Sequence, residues 1–74
     1  MFEIIKTKLL EYVDADESEI TPDTEFLKDL KMNSYDIVSM IGEIEDEFGI
    51  EIDTEELVNI RTINDLVKYI TNLL

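Results

Sequence analysis

Apolar residues recur at steps of three and four in three segments of the chain, and this spacing places them along one face of an α-helix. The first segment covers residues 2–13, the second follows Asn33 and ends before Gly49, and the third follows Thr62. Asn and Thr favour the helix N-cap, and Gly favours the left-handed residue that ends a helix. The spacing therefore predicts three amphipathic helices. Their apolar faces consist of Phe2, Ile5, Leu9, Tyr12 and Val13, then Ile37, Ile41, Ile44 and Phe48 with Met40 beside them, and finally Ile63, Leu66, Val67, Ile70, Leu73 and Leu74.

The connecting segments predict one short helix and one long loop. Asp53 and Glu56 form a cap-like pair that would open a short helix ending near Val58. Residues 50–52 alternate in polarity, but no second strand is available to pair with them, so we expect an extended link. Residues 14–29 form a long acidic connection whose apolar members predict a loop packed over the core. Those apolar anchors are Ile20, Phe26 and Leu27, with Leu30 just beyond them.

Together these elements predict an all-α fold: a small bundle of three main helices plus one short helix, with a long first loop. The 74 residues suffice for one domain with a thin core, and we expect residues 1–74 to form that single domain. The chain has no His and no Cys, which excludes disulfides, thiol chemistry and His-based triads. We expect no metal site and no catalytic residue, because so small a helical domain offers little pocket for acid–base work by its carboxylates.

The net charge of −13, from 19 acidic and 6 basic side chains, argues against a nucleic-acid partner because the chain would repel phosphate backbones. No apolar run approaches the about 20 residues that span a bilayer, and the first residues do not resemble a signal peptide. We therefore expect a cytoplasmic protein with no membrane partner. The acidity alone is compatible with a basic protein partner, a divalent cation or simple solubility.

Ser34 falls in the first turn of the second predicted helix. Unpaired backbone N–H groups and the helix dipole make that position favourable for a negative group such as a phosphodiester. The same position also describes an ordinary helix start, since Asn33 and Ser34 are both common cap residues. Position alone therefore assigns no role to Ser34.

The motifs around Ser34 resemble those of the acyl carrier protein family. Residues 26–30, Phe-Leu-Lys-Asp-Leu, match the L-x-x-D-L segment of the family, and Ser34 with Asp36 matches its D-S-L-D centre. Residues 45–52, Glu-Asp-Glu-Phe-Gly-Ile-Glu-Ile, match the E-E-E-F-x-I-x-I motif that precedes a short third helix. Residues 20–24 are similar to the first loop of the family. The motifs occur in the family's order and cover essentially the whole chain.

The resemblance implies that Ser34 carries a covalently attached phosphopantetheine arm, which a phosphopantetheinyl transferase moves from coenzyme A onto its hydroxyl. The thiol of that arm would hold acyl intermediates as thioesters and shuttle them between enzymes of fatty-acid, polyketide or other specialised biosynthesis. The arm supplies the sulfur and the transferase activates the serine, so such a carrier needs neither Cys nor His. It would be a protein-bound substrate rather than an enzyme, and we expect a monomer.

The acidity is concentrated after Ser34. Residues 32–60 contain nine acidic side chains and no basic one. The resemblance implies that the second helix docks on basic patches of the transferase and of acyl-transferring and chain-extending enzymes. Such a surface speeds association and makes it salt-sensitive. The alternative is a solvated helix face, but an ordinary surface mixes charges of both signs and this one does not. The residues expected to contact partners are Asn33, Tyr35, Asp36, Val38, Ser39, Gly42, Glu45, Asp46 and Ile52.

Four residues beside Ser34 depart from the family pattern. Asn33 stands where Asp is usual, and Tyr35 stands where Leu or Met is usual. Ser39 replaces a common Glu, and Gly42 replaces a larger apolar residue. Modification of Ser34 is still expected. A dedicated polyketide, nonribosomal peptide or lipid pathway fits this pattern as well as general fatty-acid synthesis does.

Two other interpretations stay open at this point. Residues 14–25 begin like an EF-hand calcium loop, but Glu19 takes the place of the required Gly and Pro22 occupies the ninth position. A small acidic interaction or cation-binding protein that is never pantetheinylated would have the same composition. Attachment of phosphopantetheine is the property that separates these hypotheses.

Overall fold

The computed structural model describes all 74 residues and is built from helices. Three α-helices, α1 (Phe2–Leu9), α2 (Ser34–Phe48) and α3 (Ile63–Leu73), account for the regular structure, together with 3-10 helices at Glu17–Glu19 and Thr54–Asn59. There is no β-strand, and a single antiparallel bridge joins Glu25 and Thr62. The predicted all-α bundle is confirmed.

Helix α1 is shorter than its apolar pattern predicts. It ends at Leu9, and residues 10–13 continue as turns closed by hydrogen bonds from the Tyr12 and Val13 N–H groups to the Leu9 carbonyl. Both side chains still pack against the core, which is why the helical spacing extends beyond the helix. Helix α1 packs against both α2 and α3.

The caps of α2 and α3 form as the sequence predicts. Asn33 Oδ1 accepts a hydrogen bond from the Asp36 N–H at 2.8 Å, and Gly49 ends α2 in the left-handed conformation with φ of 65°. At the start of α3, Thr62 Oγ1 accepts from the Asp65 N–H, and the Asp65 carboxylate accepts from the Thr62 N–H in return. These reciprocal bonds satisfy N–H groups that the helix itself leaves unpaired.

The long first loop is packed, as predicted, and runs beside the segment that precedes α3. The Phe26 N–H donates to the Arg61 carbonyl at 3.1 Å, and the Ile63 N–H donates to the Thr24 carbonyl at the same distance. The side chains of Ile20 and Phe26 are buried below this contact. The loop therefore brings residues 24–28 against residues 60–63.

The core draws residues from every segment. Twelve apolar side chains are buried: Ile5, Leu9, Ile20, Phe26, Met32, Met40, Ile41, Ile44, Ile52, Ile63, Leu66 and Ile70. Three expectations about burial were wrong. Leu27, expected as an anchor, is 63% exposed, and the terminal Leu73 and Leu74 are exposed because α3 ends there with nothing packed over them. Ile37 and Phe48 are half-buried at the edge of the core.

Candidate functional site

Ser34 is the first residue of α2, and its side chain is exposed. The Asn33 side chain caps the helix immediately before it, and this hydrogen bond fixes the start of α2 at Ser34. The fifteen-residue helix directs its positive end toward this position. The hydroxyl is thus presented to solvent on a rigid element, in a field that favours an attached anion.

An apolar cavity of about 320 Å³ opens beside Ser34. It lies between the first loop, the N-terminal half of α2 and the 3-10 helix Thr54–Asn59. Seven of its eleven lining residues are hydrophobic, and Ser34 is the only hydroxyl among them. The lining consists of Glu25, Phe26, Leu27, Lys28, Ser34, Ile37, Val38, Leu57, Val58, Ile60 and Arg61.

Large apolar side chains remain exposed around this opening. Leu27, Val38 and Val58 line the cavity and are more than half exposed, and Tyr35 next to Ser34 is 80% exposed. Exposed apolar side chains clustered at one place mark a surface that a ligand or a partner covers. Their position indicates that the cavity and its rim form a binding surface.

The residues predicted to contact partners occupy different environments. Asn33, Tyr35, Val38 and Asp46 are exposed, whereas Asp36, Ser39, Gly42 and Glu45 are half-buried. Ile52 corrects the prediction, because its side chain is only 6% exposed and belongs to the core. The alternating polarity of residues 50–52 therefore reflects burial of the Ile52 side chain in the core.

The structure shows the space around Gly42 and the hydrogen bond made by Glu45, neither of which the sequence reveals. A Cβ atom placed on Gly42 would meet no atom within 4 Å, so no close approach within the protein requires glycine there. Glu45 has an internal role, because its Oε2 accepts a hydrogen bond from the Ile52 N–H at 2.7 Å. Its carboxylate therefore ties the link after α2 back to the helix, in addition to contributing to the acidic surface.

The groups with shifted pKa values serve the fold. The Tyr12 hydroxyl donates to Glu43, and this bond, with burial, raises the pKa of Tyr12 to about 12. Backbone N–H groups of Thr62 and Arg61 hold the pKa of Asp65 below its usual value. Hydrogen bonds to Glu17 and Glu3 raise the pKa of Lys6, which links α1 to the first loop. None of these groups lines the cavity beside Ser34.

Sequence reasoning overlooked most of the cavity. The rim residues Lys28 and Arg61 and the wall residues Leu57 and Val58 were not predicted as site residues. One signal was available, because Leu57 and Val58 are adjacent in a short helix that can bury only one of them. Arg61 lies opposite residues 25–28 because the first loop contacts the segment before α3. The residues next to Arg61 in the sequence do not indicate this position.

No three Asp or Glu side chains converge in an arrangement that could hold a metal ion. In the segment that begins like an EF-hand, Glu17–Glu19 forms a 3-10 turn and Glu17 pairs with Lys6 at 3.0 Å.

No helix combines the length and apolar character needed to cross a membrane.

Comparison with known proteins decides the family. The family model described as a phosphopantetheine attachment site matches residues 3–70, nearly the whole chain. The chain belongs to the acyl carrier protein family. Acyl carrier proteins of Helicobacter pylori strains G27 and HPAG1 are each 40% identical over 70 residues, covering 95% of this chain and 90% of theirs. That of Helicobacter hepaticus is 38% identical over 69 residues, covering 93% of this chain and 91% of its own.

A solved structure agrees with these relatives. An acyl carrier protein from Enterococcus faecalis superposes with a TM-score of 0.85 at 26% identity, covering 99% of this chain and 92% of that one. Acyl carrier proteins are carriers rather than catalysts, and the family's cofactor is covalently attached phosphopantetheine. The site fits this group, because an exposed hydroxyl at a helix N-terminus borders a cavity with apolar walls. The unmodified acidic protein is not the favoured interpretation.

Proposed function

We propose that Ser34 is the residue that carries the phosphopantetheine arm. One observation supports this assignment above the others: Ser34 provides the only hydroxyl in the lining of the apolar cavity, and that hydroxyl is exposed. The nearby Ser39 is half-buried on α2 and does not line the cavity. A modifying enzyme therefore reaches Ser34 without unfolding the helix.

The attachment is a group transfer in which Ser34 supplies only the nucleophile. Its Oγ forms a bond to the phosphorus next to pantetheine in coenzyme A, while the P–O bond to the adenosine bisphosphate leaving group breaks. The hydroxyl proton leaves to a base of the transferase, since Glu25, the only carboxylate in the cavity lining, is paired with Arg61. The positive end of α2 then favours the new phosphodiester.

The attached arm supplies a thiol that holds acyl groups as thioesters. The chain's own residues present the attachment point and provide apolar walls beside it, made by Ile37, Val38 and Leu57 among others. Because these residues offer no acid–base pair at the reacting atoms, the chain acts as a substrate that other enzymes recognise.

We further infer that the transferase and the acyl-transferring enzymes dock on α2 through basic patches. Support comes from the exposed Tyr35 and Val38 beside Ser34 and from Asp46 further along the same helix. Apolar contact would supply most of the affinity, and the acidic side chains would speed association at low salt. Ile52 has no part in this surface because it is buried.

Intact-protein mass spectrometry tests the assignment. The unmodified protein is incubated with coenzyme A, Mg²⁺ and a phosphopantetheinyl transferase of broad specificity, and we expect the addition of one phosphopantetheinyl group. Ser34→Ala should abolish the addition, whereas Ser39→Ala, which removes the nearby hydroxyl on the same helix, should retain it. No addition with several transferases, or addition to Ser34→Ala, would contradict the proposal.

A further inference from the structure

The cavity beside Ser34 has a cationic rim, although the protein as a whole is strongly acidic. Two of the chain's six basic residues, Lys28 and Arg61, line it, and Glu25 is the only acidic residue in the lining. The rest of the wall is hydrophobic apart from Ser34. In a chain of net charge −13, an excess of positive charge at one apolar cavity is a local reversal of sign.

Both cations are available to a ligand. Lys28 forms no ion pair within the protein, and its side chain is exposed. Arg61 has one partner, with its Nη2 3.5 Å from Glu25 Oε1, and its side chain is 75% exposed. A guanidinium carries several further N–H donors in a fork that matches a carboxylate, and this single long contact leaves most of them free.

The backbone holds the rim in place. The bridge between Glu25 and Thr62 and the hydrogen bond from the Phe26 N–H to the Arg61 carbonyl join the two segments that carry the charged side chains. The side chains can therefore exchange partners while their Cα atoms stay fixed. A second carboxylate could share Arg61 with Glu25 or replace it.

We propose that this cavity selects acyl chains that end in a carboxylate. The inference rests on the proposed attachment at Ser34, which would tether the phosphopantetheine arm beside the cavity, so that a folded-back arm brings its acyl chain to the apolar walls. The methylene groups of the chain contact the apolar walls made by Ile37, Val38 and Leu57, and the terminal carboxylate pairs with Arg61 and Lys28 at the rim. An uncharged chain of the same length gains the apolar contact without the ion pair.

The test compares two acyl chains of equal length, one ending in a methyl group and one ending in a carboxylate. A phosphopantetheinyl transferase loads the protein at Ser34 from hexanoyl-coenzyme A or from the coenzyme A mono-thioester of hexanedioic acid. Mass spectrometry verifies the loading. Neutral hydroxylamine then cleaves each thioester to a hydroxamic acid and a free thiol, and each rate is divided by that of the corresponding coenzyme A thioester. Because exposed ion pairs are weak, we expect the thioester of the acid-ended chain to be cleaved only about 2- to 5-fold more slowly than the hexanoyl thioester.

Matched variants identify the groups responsible. Arg61→Gln and Lys28→Gln should remove or reduce the difference between the two arms, whereas Lys68→Gln, which removes an exposed cation on α3 outside the cavity, should retain it. Glu25→Gln should enlarge the difference because it frees Arg61. Thermal unfolding of each variant verifies that the fold is intact.

Four outcomes would overturn the proposal. Equal normalised rates for the two arms in the original protein would do so, and so would a difference that persists in both Arg61→Gln and Lys28→Gln. If these variants changed the normalised cleavage rates of the hexanoyl and acid-ended forms by the same factor, the cations would serve the phosphate of the phosphopantetheine arm instead. Failure of loading would contradict the attachment at Ser34 and this inference with it, whereas successful loading with equal rates would overturn this inference alone.

Discussion

The hydroxyl of Tyr12 donates a hydrogen bond to the carboxylate of Glu43 and thereby fastens the turn after α1 to the middle of α2. The two residues are 31 positions apart, and Tyr12 also packs against the core. Because this carboxylate is engaged within the protein, one of the nine acidic residues that follow Ser34 contributes to the fold as well as to the surface charge.

This contact predicts a loss of stability at high pH. The pKa of Tyr12 is raised to about 12 from 10.0, chiefly by the bond to Glu43, so its neutral form is favoured in the folded state. Its contribution is therefore complete below pH 10 and disappears as the pH rises toward about 12. Urea unfolding across this range should show a decline that is smaller in Tyr12→Phe. Tyr69→Phe is the control, and an equal decline in Tyr12→Phe and the original protein would contradict the assignment.

The cap of α3 predicts a loss of stability at low pH. Backbone N–H groups of Thr62 and Arg61 lower the pKa of Asp65 from 3.8, so its charged form is favoured in the folded state. The contribution is present above pH 3.8 and is lost as the pH falls through the lower folded-state value. Asp65→Asn should make the acid limb of the stability curve shallower. Asp46→Asn, which removes an exposed carboxylate of α2, is the control for the change in net charge.

Removing the cap of α2 should weaken the helix that presents Ser34. Asn33→Ala deletes the acceptor of the Asp36 N–H and should lower the free energy of unfolding by about 1 kcal/mol. Asn33→Asp keeps the acceptor and adds a negative charge at the positive end of the helix, so it should retain stability. Chemical denaturation measures both variants, and an unchanged midpoint for Asn33→Ala would show that the side chain does not cap α2.

The backbone at Lys31 is strained, since its φ of 55° lies in the left-handed region that side chains with a Cβ disfavour. Lys31→Gly should raise the free energy of unfolding by roughly 0.5–1 kcal/mol, because relief of the strain exceeds the added freedom of the unfolded chain. Lys31→Ala removes the same charge and keeps the Cβ, so it separates the two effects. A stabilisation of equal size in Lys31→Ala would indicate that charge, and not strain, is responsible.

Salt and Mg²⁺ should stabilise the protein. Residues 32–60 carry nine acidic side chains without a basic one, and their mutual repulsion is screened at higher ionic strength. We expect Tm to rise by about 5 °C between low and physiological salt, which corresponds to roughly 1 kcal/mol for a domain of this size. Differential scanning calorimetry measures the change, and an unchanged or lower Tm would contradict the repulsion argument.

Local patterns sufficed where the structure depends on neighbouring residues. The caps at Asn33 and Thr62 and the helix end at Gly49 follow from contacts within a few positions of each residue. The burial of Ile44 and Ile70 follows from the helical period, which places them on the apolar faces of α2 and α3. The same patterns misjudged Leu27 and Ile52. An apolar residue in a loop or link is buried only if a distant segment covers it, and residue spacing carries no information about that cover.

By itself, the sequence determined the three helices, their caps, the position of Ser34 at a helix N-terminus and the resemblance to acyl carrier proteins. Each of these depends on short-range hydrogen bonds, on the helical period or on motif order. Only the tertiary structure decided that α1 stops at Leu9, that an apolar cavity opens beside Ser34, and that Glu25 meets Arg61 across 36 positions of chain. The cavity and the Glu25–Arg61 contact arise because the first loop docks against the segment before α3. The free energy of that docking comes from burying Ile20 and Phe26 in the shared core.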